Sequence, residues 1–138
     1  MIKILKITFI VDGIIATAFG VFSWLYPLKT FGSIIAIPDE HSSIFLSILS
    51  SLSLFYLVIG ITCLIGSKSQ PSISFWIASL MLTRHFFEGA IKIADLGKTW
   101  LIGNPYQDIV IHSVFLLAYL IGLIYADKNA TEIKGLTE

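Results

Sequence analysis

Five ionisable side chains stand close together in one otherwise apolar stretch: Arg84, His85, Glu88, Lys92 and Asp95. On a helix, Arg84, Glu88, Lys92 and Asp95 fall in one narrow stripe, with His85 at its edge. A second apolar stretch opens with Asp108, carries His112 one turn later and continues the same face to Tyr119. A third contributes a lone carboxylate, Asp12. Carboxylates, imidazoles and cations at this spacing leave three chemistries open. They can pair with one another and staple helices together. They can line a polar pocket that binds a small solute or a lipid headgroup, or relays protons, with Arg84 holding an anionic group or Asp12 and with Glu88 and His112 as the titrating pair. His85, Glu88, Asp108 and His112 can also supply metal ligands, two from each of two helices. Against a metal stand Arg84 and Lys92, which lie on the same stripe and repel a cation.

Other chemistries lack their motifs. There is no GxSxG elbow, no HExxH, no glycine-rich phosphate loop and no CxxC. Ser113, beside His112, points elsewhere on its helix. The single cysteine, Cys63, sits in an apolar run and reads as a small buried hydrophobe. No catalytic residue or cofactor is expected, and the sequence leans away from an enzyme.

The elements that carry these residues follow from composition. Of the 138 residues, 56% are hydrophobic and only 13% charged. The mean hydropathy is +0.87. A soluble domain carries about a quarter of its residues charged. This chain instead suits lipid as its solvent. Its net charge is zero and it has no basic run, so nucleic acid is not expected as a partner.

Four apolar segments are each long enough to cross a hydrocarbon core of about 30 Å as a helix. They run approximately over 5–26, 43–66, 73–95 and 108–126. All four prolines (Pro27, Pro38, Pro71 and Pro105) fall between them. An uncleaved first helix is expected. Lys3, Lys6 and the Ala16-Thr17-Ala18 triplet resemble a signal peptide, but Asp12 interrupts its apolar centre and the run continues to Trp24. The expected fold is all-α, a single integral-membrane domain over 1–138 built as an antiparallel four-helix bundle. An oligomer is compatible with it.

Orientation follows the distribution of lysine. Lys3, Lys6, Lys68, Lys128 and Lys134 mark one side, and Lys29 and Lys98 the other. Both termini are therefore expected in the cytoplasm. Trp24, Tyr26, Trp100 and Tyr106 would mark the outer interface, with Trp76 and Tyr125 at the inner one. The loop from Pro27 to Ser42, with Ile34, Ile35 and Ile37, is expected along the membrane surface, and the polar tail is expected to lack order. Ser43, Ser47 and Ser51, with Ser50 beside them, and Ala16 with Gly20 offer small faces for close helix approach. A hydroxyl-lined path is the alternative for the serines.

A rise of about 1.5 Å per residue sets the depths. Arg84 falls at the centre of its span and Asp12 slightly to the cytoplasmic side. Glu88 and His112 lie roughly 6–8 Å outward. Three layers of opposite charge result: Asp12 with Arg84, Glu88 with His112, and Lys92 with Asp108.

This arrangement resembles the small bacterial four-span membrane proteins grouped as DoxX-like or as a domain of unknown function. The resemblance rests on Gly13, Gly20 and Pro27 in and after the first span, and on Arg84, Asp95 and Gly97 in and after the third. It covers most of the chain, and it implies an inner-membrane location and little about activity. Small multidrug transporters also have four spans and an acidic residue in the first, but their chains are shorter and lack a charged stripe in the third.

Overall fold

The computed structural model describes residues 3–32, 34, 42–98 and 104–135. They form five helices and no strand among the described residues: α1 (Lys3–Leu25), α2 (Pro27–Gly32), α3 (Ser42–Gly66), α4 (Pro71–Ala94) and α5 (Pro105–Gly135). The expected all-helical class is what is found, with α2 as an addition. Prolines open three of the helices, where the missing N–H is no loss and the fixed φ suits a first turn. Pro38, Ile35, Ile37 and Trp100 lie outside the described residues. At the end of α4, the Asp95 N–H donates to the Ile91 carbonyl at 2.9 Å. Gly97 then adopts φ 81°, a left-handed conformation that glycine enters without steric cost.

The tail departs from expectation. Residues 127–135 continue α5 as helix. No proline interrupts them, and extending an existing helix costs far less than nucleating one.

α1 packs along α3, and α4 along α5. The two pairs join through α1 with α5 and α3 with α4, so α1 and α4 lie diagonally opposite. Each neighbouring pair of long helices runs antiparallel. Between α1 and α3, Gly13 sits against Gly60 and Leu64, and Gly20 against Ser53 and Leu57. Gly122 of α5 meets Leu5 of α1, and Gly89 of α4 faces the Cβ of His112. The stripe that brings α3 onto α1 is therefore Ser53 and Gly60. Ser43, Ser47 and Ser51 are exposed. The reason is angular: Ser53 lies two residues past Ser51, about 200° around the helix.

Three helices, α1, α3 over Ser43–Gly66 and α5 over Pro105–Ala126, are long and apolar enough to cross a membrane. Their outward faces carry large exposed hydrophobics, including Ile14, Phe22, Phe55, Val58, Val114 and Leu117. An apolar surface this extensive fits a membrane protein rather than one bathed in water. α4 has 24 residues but carries Arg84, Glu88 and Lys92, and it falls outside that set. Its polarity points inward. Ser74 and His85 are buried, while Trp76, Leu80, Phe86 and Phe87 are exposed.

Candidate functional site

Asp12 is 2% exposed, held at the centre of the molecule by α1. A carboxylate buried this deeply survives only if its lone pairs are satisfied. The His85 Nε2–H donates to its Oδ2 at 3.0 Å, because an ionised carboxylate can only accept. The Tyr119 hydroxyl donates to the same oxygen at 2.9 Å, and the Cys63 thiol approaches it at 3.7 Å. Arg84 Nη1 lies 3.5 Å from Oδ1.

From Asp12 a circuit runs through three helices and closes on itself. His85 Nδ1 is 3.0 Å from His112 Nδ1. His112 Nδ1 is 3.3 Å from Glu88 Oε2. Glu88 Oε1 accepts from Arg84 Nε at 3.1 Å, and Arg84 returns to Asp12. Arg84 and Glu88 are one turn apart on α4, which aligns them. Two aromatic rings of α5 hold the His85 ring. It stacks on Phe115 at 5.0 Å and 13°, and on Tyr119 at 5.9 Å and 24°. The Tyr56 ring lies 5.6 Å from the Arg84 guanidinium, a cation–π contact. Outside the circuit and more exposed than it, Lys92 and Asp108 pair at 2.8 Å.

These distances place each residue singled out in the sequence. Asp12 and Arg84, Glu88 and His112, and Lys92 and Asp108 lie within ion-pair reach of one another. His85, at the edge of the stripe by angle, occupies the middle of the circuit. Asp95 is not on it; Lys98 lies 3.6 Å away. Of the four metal-ligand candidates, His85, Glu88 and His112 converge, and Asp108 is turned to Lys92. Sequence reasoning missed Cys63 and Tyr56, both on α3. Neither has a charge to mark it, and no periodic signal separates them from the apolar residues around them.

Four members of the circuit, Asp12, Arg84, His85 and His112, line a cavity of about 340 Å³. Its polar lining is Asp12, Arg84, His85, Lys92, Asp108 and His112. The rest of the lining is mainly apolar and includes Ile15, Phe19, Leu49, Leu52 and Phe115. Phe31 of α2 covers one end, buried to 6% and packed edge-on against Phe19. Two polar atoms of the circuit, Arg84 Nη1 and Glu88 Oε2, are buried and make no hydrogen bond among the described residues, although each lies near an opposite charge.

The charges do not cancel. Lys92 offsets Asp108 and Arg84 offsets one of Asp12 and Glu88, so one negative charge remains when both imidazoles are neutral. A buried net charge is expensive. The cluster therefore favours a positive charge, a proton or a cation, and of the two partners expected for Arg84, an anionic group or Asp12, it is Asp12 that lies beside it. Compared with known proteins, the chain matches no family model, no curated protein and no solved structure.

Proposed function

We propose that this chain is a multi-pass protein of the cell (inner) membrane, spanning it with α1, α3, α4 and α5. In this reading its termini are cytoplasmic, and its cavity, open toward the outer side, binds or passes a small solute. The observation that carries the reading is the cavity's lining, which combines a few charged and imidazole side chains with many apolar ones. Small-molecule sites occupy about 300–1,000 Å³ and combine apolar lining with a few placed polar groups. α4 is included as a span because its exposed surface is as apolar as that of its neighbours, and because its charges face the interior, as intramembrane charges do. Loop lysines set the orientation. With Cys63 buried and silent, Lys98→Cys is expected to react with a membrane-impermeant thiol reagent in intact cells, and Lys68→Cys only after the membrane is opened. The opposite pattern reverses the orientation.

A closed circuit of ion pairs also supports a second reading, in which the pairs only stabilise the helices and nothing binds. Native mass spectrometry of protein extracted from its host membrane separates the two. A pocket is expected to yield a copurified small molecule, lost when Leu52→Trp fills the cavity mouth and weakened by Glu88→Gln and His112→Gln. If no molecule is carried and both polar variants merely lower thermal stability in detergent, the stapling reading stands.

A further inference from the structure

We infer that His85, His112 and Glu88 form a binding site for one divalent transition-metal ion, zinc being the simplest case. The inference goes beyond the solute-binding reading and stands without it. One ligand atom from each of His85, Glu88 and His112 lies within 4.8 Å of those of the other two. Two of the edges are 3.0 and 3.3 Å. Metal–nitrogen and metal–oxygen bonds of about 2.0–2.2 Å in a tetrahedron place ligand atoms roughly 3.3–3.5 Å apart. These two short edges need only small adjustments. Two imidazoles and a carboxylate suit zinc, copper, nickel or iron(II) rather than calcium or magnesium.

The surroundings prepare these atoms in three ways. The Asp12 carboxylate takes the Nε2–H of His85, which fixes the tautomer that leaves the Nδ1 lone pair free. A ligating histidine backed by a carboxylate is the usual outer-shell arrangement of metal sites. Phe115 and Tyr119 hold that ring so that Nδ1 faces His112. Arg84 engages Oε1 of Glu88 and leaves Oε2 without a hydrogen bond among the described residues.

The objection from charge is answered by the pairings. Arg84 is matched within the circuit and Lys92 is matched by Asp108, so the three ligands sit in a field that is negative by one charge. A metal ion would replace the proton that the two Nδ1 atoms must otherwise share, with His112 taking its Nε2–H tautomer. Three protein ligands leave a fourth position, and His85 and His112 both line the cavity. Asp108, on the same wall, is engaged by Lys92 and is not a ligand here.

The test uses full-length protein in detergent, stripped with a chelator and titrated with Co²⁺ alone, then with Zn²⁺. One equivalent of Co²⁺ is expected to bring up visible absorption of a low-coordinate site, and one equivalent of Zn²⁺ to displace it. His85→Ala and His112→Ala each abolish the band, and Asp95→Asn, at a carboxylate off the circuit and outside the cavity lining, keeps it. Asp12→Asn, which acts through His85, weakens binding about 10–100-fold. Because an alanine at these positions can impair folding, His112→Gln is titrated beside them and circular dichroism is recorded for each. Absence of stoichiometric binding to the wild type overturns the site. So does unchanged binding to a folded His112→Gln, or loss of the band in a folded Asp95→Asn. The solute carried by the cavity is read separately by mass spectrometry, so either reading can fail alone.

Discussion

Asp12→Ala is expected to destabilise the folded protein by about 3–5 kcal/mol, read as a shift in unfolding by SDS in mixed micelles. That is the range for removing one partner of a buried, hydrogen-bonded ion pair. The substitution strands three groups together: the Nε2–H of His85, the hydroxyl of Tyr119 and the Nη1 of Arg84. His85 and Tyr119 are 2% and 0% exposed, so their donors are poorly placed to regain partners from bulk water. Asp12→Asn keeps the shape and one acceptor but loses the charge facing Arg84, so its cost falls between wild type and alanine. The double variant Asp12→Leu with Arg84→Met removes both charges and is expected to recover part of the loss, because apolar residues of similar volume often replace a buried pair at little net cost. If the double variant is as unstable as the sum of the two single ones, the two residues are not coupled and the circuit is not a unit.

The helices were legible because their signals are long-range and redundant. An apolar run of twenty or so residues, bounded by prolines, admits few structures in lipid. α2 was not legible, because six residues from Pro27 to Gly32 are too short to carry a periodic pattern. At the site, three of the ion pairs could be anticipated from spacing and the depth of each residue in its span. The direct His85–His112 contact was implied only by the metal-ligand reading and did not follow from the charge layers. It depends on the rotation of α5 against α4, which is set by packing details such as Gly89 admitting the Cβ of His112. The serine stripe misled for a related reason. Small residues at four-residue spacing state that a face is smooth, but not which neighbour it meets.

Gly60→Ala tests the contact that fixes Asp12 in place, and it is expected to cost about 3 kcal/mol, the upper end for overpacking. A Cβ at position 60 would run into Thr17 Oγ1, and would lie 2.6 Å from the Thr17 nitrogen and 2.9 Å from the Gly13 carbonyl oxygen. A flexible side chain could rotate away, but two of these atoms are backbone, so α1 and α3 must separate. Gly13 adjoins Asp12, and any outward movement of α1 there draws the carboxylate from His85 and Arg84. The variant should therefore lose both stability and the positioning of His85, seen as weakened Co²⁺ uptake in the fraction that still folds. Gly32→Ala is the matched control. Nothing lies within 4 Å of the Cβ it would add, and it sits on α2, away from the α1–α3 contact. It should leave unfolding and metal uptake unchanged. If Gly60→Ala behaves like Gly32→Ala, the α1–α3 approach is looser than described, and something other than this glycine contact holds Asp12 at the centre of the circuit.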